Sequence, residues 1–478
     1  MAADDRREAR GDLDRPMAAV ANRLPVSKKD GSWKASTGGL VTALRPIMEG
    51  LDGAWIGWNG GDDDVPRRVE GFDIDLEPLS LSNAQLQGYY YGFANRTVWP
   101  LFHDLVEEPV FERRWWETCV EVNRLFADRS LDLDFGDRTP LLWVHDYHLM
   151  LLPQMLAERH PDSPIGFFLH IPFPPPELYA RLPWREEILE GLLGADAIGF
   201  HTDRYRDNFL RAVERLLPVK VEIEGRDVVL PEGRRVRTSG HPISIDAAAF
   251  AQLATSDDAE EELAALRDQF AGRRVILGVD RLDYTKGIRH RLKAIELLLE
   301  RRTDLRQRIA FVQIAVPSRE SVQEYRDIRD DVEREVGRIN GRFTEPGGEV
   351  PVYYLHRGVP RSRLVAYYRL ADVAAVTPLK DGMNLIAKEF VVCQAAGDGT
   401  GALVLSEFTG AREELHEAVL CNPFDVEGLA GRIEHALELD EDERRSRLQR
   451  MAATVHDSDV YDWVESQLNE VQQAFQQR

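Results

Sequence analysis

The segment Gly278-Val279-Asp280-Arg281-Leu282-Asp283-Tyr284-Thr285-Lys286-Gly287 carries residue types that can do chemistry at a useful spacing. An apolar run ends near Val279, and Arg281 and Lys286 follow in what reads as the loop before a helix. Two such cations can clamp a diphosphate, because a guanidinium forks two oxygens while an ammonium acts as a point charge. The competing reading is a surface salt-bridge cluster with Asp280 and Asp283, and the local pattern does not choose between them. Further on, Thr377-Pro378-Leu379-Lys380-Asp381-Gly382-Met383-Asn384-Leu385 passes from an apolar run through a Pro/Gly loop into a helix expected to begin near Met383. The free N–H groups of its first turn can hold a phosphate. Glu389 lies one turn past Leu385 on the same face, where its carboxylate suits ribose hydroxyls; the plainer alternative leaves it in solvent. Gly38 and Gly39, in Thr37-Gly38-Gly39-Leu40, would let backbone N–H groups approach a ligand closely, though most such pairs are turns.

The first half of the chain offers groups for a sugar. Asp146, in Trp143-Val144-His145-Asp146-Tyr147-His148, stands at a strand end and can hold sugar hydroxyls. His170 stands at another, followed by a proline-stiffened loop, with a core histidine as its alternative. Arg23 ends the first apolar run, and Tyr89-Tyr90-Tyr91 with Trp99 could stack on a pyranose while Arg23 takes a phosphate, although aromatic residues at this spacing are more often core and the local pattern favours that reading. Arg319, in Pro317-Ser318-Arg319, is a second candidate phosphate ligand, with an exposed loop cation as the reading the local pattern favours. The pairs Asp73/Asp75 and Asp132/Asp134 alternate with Ile74, Leu76, Leu131 and Leu133, which reads as half-exposed strand or loop rather than a metal site. Neither a metal nor a cofactor is expected.

These residues need elements to position them. Short apolar runs at Met17–Ala21, Leu141–Val144, Ile165–Leu169 and Ala197–Phe200 read as buried strands. Val275–Val279, Ala310–Ala315, Val352–Leu355, Ala374–Val376 and Ala402–Leu405 read the same way in the second half. Between them Asp257–Phe270, Arg291–Arg301 and Ser321–Val336 have helical spacing with many i,i+4 charge pairs. Alternation in two blocks implies two doubly wound α/β domains whose functional residues lie just after strands. The expected organisation is a disordered tail over 1–16, an acceptor-binding domain over 17–245, a nucleotide-sugar-binding domain over 246–455 and a helix over 456–478 that could cross back to the first domain.

A net charge of −22 speaks against a nucleic-acid partner, and three scattered cysteines without a CxxC pair suit a reducing compartment. The charged start lacks the apolar stretch of a signal peptide, and no apolar run approaches membrane-spanning length, so a soluble, cytoplasmic protein without a membrane partner is expected.

Taken together, VANRLP, TGGL, YYYGFANRTVWPLFHD, WVHDYHL, GFFLHIPFP, GVDRLDYTKG, VPSRESVQEY, GRING, TPLKDGMNLIAKEF and VLSEFTGA resemble the trehalose-6-phosphate synthases, retaining glycosyltransferases of family 20. The likeness runs from about Val20 to about Trp463. It implies the GT-B fold, two Rossmann-like domains facing a central cleft, and metal-independent transfer of glucose from a nucleotide-diphosphate glucose to glucose 6-phosphate. By that resemblance Arg23, Tyr90, Asp146 and Arg319 bind the acceptor, with Trp99 shaping its pocket. Gly38, Gly39, Arg281, Lys286 and the segment Leu385, Ile386, Ala387, Lys388, Glu389 bind the donor, with Val359 where the family's base-contacting loop runs. His170 and Asp381 line the transferred glucose, completing a catalytic set with Arg281 and Lys286. The resemblance also implies front-face transfer, in which the leaving diphosphate takes the acceptor's proton. The stretch Leu355–Arg361 departs from the enterobacterial pattern, which has an aromatic residue near Val359. Uridine is therefore the family default, while guanosine and adenosine donors stay open. Another phosphorylated acceptor, or a non-catalytic sugar-phosphate sensor, is the alternative reading; a homo-oligomer is left open.

Overall fold

A computed structural model describes residues 15–29, 32–35, 41, 44–45, 48–49, 53–61, 65–319, 322–397 and 399–478. The chain divides into two compact units, Met1–His241 with Tyr461–Arg478, and Pro242–Val460.

In the first unit the strands are β1 (Met17–Arg23), β2 (Val26–Lys29), β3 (Ser32–Ala35), β4 (Ala54–Trp58), β5 (Asp75–Leu79), β6 (Leu141–His145), β7 (Ile165–Leu169), β8 (Ala197–Phe200), β9 (Glu222–Glu224), β10 (Asp227–Val229) and β11 (Arg235–Gly240). They form a sheet of order β5-β4-β1-β6-β7-β8-β11-β10-β9, with β2 and β3 as a separate hairpin. Every pairing from β5 to β11 is parallel, and β10 and β9 close the edge antiparallel. All residues of β4, β6 and β7 are buried, the mark of a sheet covered on both faces. Strand order turns between β1 and β6, where Ala21 pairs with His145. Ligands of doubly wound sheets bind beyond the carboxyl ends at such a turn. Arg23 and Asp146 stand there.

The second unit repeats the plan with β12 (Arg274–Arg281), β13 (Ile309–Val316), β14 (Val352–Leu355), β15 (Val373–Val376), β16 (Ala402–Ser406) and β17 (Val419–Cys421), all parallel in the order β14-β13-β12-β15-β16-β17. Its turn in strand order falls between β12 and β15, so the loop after Arg281 and the loop after Val376 share one crevice.

Several expectations shift. The helix expected near Met383 begins at Leu385, because Asn384 is left-handed at φ 80° and caps it instead of joining it. The helix expected over Ser321–Val336 runs Gln323–Phe343. The C-terminal helical stretch is broken at Ser458, and the last helix is Val460–Gln476. Pro16, placed in the tail by sequence, already accepts a bond from Leu141 N–H at 2.9 Å; residues 1–14 lie outside those described. No helix among the described residues is long and apolar enough to cross a membrane.

Candidate active site

In the second unit the crevice is built on a buried guanidinium. Arg291 has no exposed surface, and its Nη1 donates to Asp280 Oδ2 and to Gln313 Oε1, both at 2.7 Å. Its Nε donates to Thr377 Oγ1 at 3.0 Å and its Nη2 to the Lys286 carbonyl at 3.4 Å. One side chain thus ties β12, β13, the Lys286 turn and the start of the Thr377 loop together. Gly278 makes room for it, since a Cβ there would press on both Arg291 and Gln313. Asp280 and Asp283, offered by sequence as surface partners of Arg281 and Lys286, are instead buried.

The turn after β12 is closed by Asp283, whose Oδ1 accepts from Thr285 N–H at 2.9 Å and from its hydroxyl at 2.8 Å. Gly287 then turns left-handed at φ 66°, and a Cβ there would collide with the Thr377 carbonyl, so the two loops close on each other only with glycine at this position. Lys286 Nζ donates to Asp381 Oδ2 at 2.6 Å, and the same oxygen accepts from Asn384 Nδ2 at 3.0 Å. Asn384 Oδ1 in turn caps Ala387 N–H at 3.3 Å. An ammonium therefore stands beside the N-terminus of the helix Leu385–Ala396, where unsatisfied N–H groups add to its positive potential. Arg281 is exposed at the end of β12. This arrangement can neutralise a phosphate or diphosphate.

Other donor candidates differ in character. Lys388 is fully buried, donating to Glu414 at 2.7 Å and to the Ile243 carbonyl at 3.0 Å, so its ammonium belongs to the core and only its backbone is left to serve a ligand. Glu389 is half-buried and accepts from the Tyr368 hydroxyl at 2.7 Å. Burial raises its carboxyl to about 7, outweighing that bond and Arg361. It does not point freely into solvent, the plainer alternative of the sequence. Val359 lies half-buried in the connection between β14 and the helix Arg361–Leu370. Arg319 is left-handed at φ 48°, and its guanidinium meets Tyr325 OH and Asp283 Oδ2, the latter at 3.4 Å.

The first unit gathers a different set. Leu86–Val98 is a π-helix, a rare element that often marks functional positions, and it presents Tyr90. Tyr90 stacks on His148 with centroids 5.7 Å apart and leans on Trp58 at 6.1 Å. Arg23 lies over both rings, 4.6 Å from Trp58 and 5.5 Å from Tyr90, while its carbonyl accepts from Trp55 Nε1 at 3.1 Å. Trp99 is buried and packs on His103 and Tyr147 at 4.1 and 5.6 Å, behind this cluster. Asp146 is left-handed at φ 76°, its N–H held by the Phe168 carbonyl at 2.8 Å. Its Oδ1 accepts from His170 N–H at 3.3 Å, so the two strand-end candidates touch. His170 Nε2 shares a proton with His145 Nδ1 at 3.1 Å. Burial pushes His145 down to about 3 and His170 well below the ordinary imidazole value, so both are neutral near pH 7. Gly38 and Gly39 lie outside the described residues.

Sequence reasoning passed over Trp58, Tyr325, Tyr368 and Arg291. Trp58 could have been found as the aromatic residue at the end of an apolar run. The tyrosines and Arg291 sit within helices and gave no local sign. The acidic pairs are ordinary surface groups: Asp75 meets Arg67 and Arg68, and Asp132 meets Arg129.

Two doubly wound units, one with a cationic loop and a capped helix N-terminus at its turn in strand order, define a GT-B glycosyltransferase. The profile described as glycosyltransferase family 20 matches residues 15–473. The chain belongs to that family and is a retaining glycosyltransferase. It is 48% identical over 467 residues to proteins named trehalose-6-phosphate synthase from Mycobacterium avium (strain 104) and Mycolicibacterium paratuberculosis, covering 94% of both chains in each case. Among solved structures, the E. coli protein bound with UDP-2-fluoro glucose matches with TM-score 0.87 and 35% identity over 96% of this chain and 99% of that one. A UDP-forming α,α-trehalose-phosphate synthase from Burkholderia xenovorans, in complex with glucose-6-phosphate, matches with TM-score 0.86 and 33% identity over 96% and 100%.

Proposed function

We propose that this enzyme transfers glucose from a nucleotide-diphosphate glucose to glucose 6-phosphate, forming α,α-trehalose 6-phosphate and a nucleoside diphosphate. The bond from the glucose anomeric carbon to the diphosphate breaks, a bond from that carbon to the acceptor's anomeric oxygen forms on the same face, and the acceptor's proton passes to the departing diphosphate. The observation that carries this reading is the Lys286 ammonium, held 2.6 Å from Asp381 beside the N-terminus of the helix Leu385–Ala396. Charge fixed before the reaction stabilises charge that appears on the leaving group, at roughly 3 kcal/mol per group. Arg281 serves the same diphosphate, and Glu389 the ribose, with Gly38, Gly39 and the Leu385–Glu389 backbone completing the donor contacts and Val359 near the base. Arg23 and Arg319 take the acceptor's phosphate and Tyr90 and Asp146 its ring, with Trp99 as backing. His170, neutral, hydrogen-bonds the transferred sugar and cannot serve as a proton-donating acid. Uridine is the proposed base, supported by the family default and the likeness to UDP-dependent structures. A soluble, cytoplasmic location accords with the lack of any spanning helix among the described residues.

The test is incubation of the purified protein with glucose 6-phosphate and, separately, UDP-, GDP- and ADP-glucose, measuring nucleoside diphosphate release and the disaccharide phosphate. Turnover with UDP-glucose is expected. Absence of the disaccharide phosphate with all three donors would overturn the reading.

A further inference from the structure

The buried carboxylate of Asp283 faces two ways. Oδ1 closes the turn that presents Lys286, accepting from Thr285 N–H and Oγ1. Oδ2 accepts from the Tyr325 hydroxyl at 2.9 Å and from Arg319 Nη1 at 3.4 Å, and that Nη1 also donates to the Tyr325 oxygen. Arg319 is otherwise an awkward ligand. Its backbone sits at φ 48°, a region that side-chain-bearing residues seldom adopt, and its guanidinium is anchored within the protein by Asp283 and Tyr325. Burial alone would raise the Asp283 carboxyl, but Arg319, Arg281 and Lys286 outweigh it and hold it at about 2. The anchor is therefore charged at any working pH.

We propose that Asp283 is a positioning residue shared by two subsites, one oxygen fixing the diphosphate-binding Lys286 turn and the other fixing, with Tyr325, the arginine that takes the acceptor's phosphate. This rests on the function proposed above and adds that one carboxylate sets the geometry of both substrates' phosphates. It follows that the two arms can be cut separately. Tyr325→Phe removes the hydroxyl between Oδ2 and Arg319 and leaves the Lys286 turn alone. Thr285→Val removes one donor to Oδ1 and leaves Arg319 alone. Asp283→Asn keeps the shape and discharges both arms.

The experiment measures kcat and KM for each variant with glucose 6-phosphate and with glucose as acceptors, and binding of UDP and of glucose 6-phosphate by calorimetry. Loss of a hydrogen bond to a charged group should weaken its own subsite by roughly tenfold. Tyr325→Phe should therefore raise KM for glucose 6-phosphate about tenfold, shrink the preference for glucose 6-phosphate over glucose by the same factor, and leave UDP binding within about twofold. Thr285→Val should show the reverse, with UDP binding weakened severalfold and the acceptor preference kept. Asp283→Asn should lose on both sides. The proposal fails if Tyr325→Phe leaves the acceptor preference unchanged, or if either single-arm variant weakens both substrates equally. Should Asp283→Asn not fold, the two milder variants still decide. A wild-type enzyme that binds both ligands but makes no product would sink the functional reading, while the separation of arms would still be read from calorimetry.

Discussion

The surroundings of the candidate site residues differ between the two units. In Pro242–Val460 they are ionic: Arg291 with Asp280 at 2.7 Å, Lys286 with Asp381 at 2.6 Å, Lys388 with Glu414 at 2.7 Å. Around His170 and Tyr90 in the first unit the ring contacts are neutral, with His145 on His170 at 3.1 Å, Tyr90 on His148, and Trp463 of the last helix packed 6.0 Å from His170, although the same unit also buries Asp196, whose Oδ2 accepts from Ile165 N–H at 2.8 Å. The contrast matches what each set is proposed to hold. A diphosphate needs positive charge that is oriented before it arrives, and ion pairs within the protein stop those cations from turning away. A hexose ring is uncharged and presents one apolar face, so aromatic planes and neutral hydrogen-bonding groups suit it without the desolvation cost of an ion.

The ionic side should break hardest. Arg291→Met would leave Asp280, whose side chain is 2% exposed, as a buried charge with only Gln313 beside it. Removing one partner of such a pair costs about 3–5 kcal/mol, to be read from denaturant unfolding. A loss under about 1 kcal/mol would mean that the network is not held by charge. Next comes Lys286→Ala, which takes a cation from the part-buried Asp381 and so should cost about 1–3 kcal/mol of stability, while lowering kcat of the folded enzyme at least ~100-fold. Near-normal turnover would remove Lys286 from the leaving-group site and weaken the contrast between the units.

The same contrast governed what could be read from sequence. Strands buried on both faces announce themselves as apolar runs, and Val352–Leu355 and Ile165–Leu169 have the limits their residues suggest. β4 was not seen because Ala-Trp-Ile-Gly-Trp mixes aromatic residues with glycine, and β5 because Asp75, Glu77 and Pro78 interrupt it. The motif around Arg281 and Lys286 was visible because its cations stand together in the chain. What holds them was not: Asp283 meets Tyr325 42 residues away, and Arg291 meets Thr377 86 residues away. Only the fold brings such pairs together, and a lone Arg inside a helix looks like any solvent-facing cation until the sheet beneath it is known. The π-helix was equally silent, since its wider turn leaves no periodicity of 3.6 to detect.

The neutral side predicts an acid weakness. Folding holds His145 uncharged, at about 3 against an ordinary 6.5, while the unfolded chain takes up the proton below 6.5. Its contribution is complete above 6.5 and lost as pH falls toward 3. Going from pH 7 to pH 5 should cost about 2 kcal/mol of stability from this residue. His145→Asn should flatten that slope in denaturant titrations at the two pH values. An equally steep slope in the variant would assign the acid sensitivity elsewhere.

Glu389 sharpens the comparison, because it is a carboxyl on the ionic side that burial has made nearly neutral. Its value in the folded chain is about 7 against an ordinary 4.5. The raised value means that its contribution to folding is fully present below 4.5 and is lost as pH rises through about 7. Donor binding should run the opposite way, since ribose hydroxyls need the ionised carboxylate as acceptor. Between pH 6 and pH 8 the ionised fraction rises from about a tenth to about nine tenths, so kcat/KM for the nucleotide sugar should climb roughly tenfold with a midpoint near 7. Glu389→Gln should lie lower and lose the step while keeping the glucose 6-phosphate KM. Tyr368→Phe removes a bond that favours the charged form, so its midpoint should move above that of the wild type. A step that survives in Glu389→Gln would place the titrating group elsewhere and leave Glu389 as a buried structural acid.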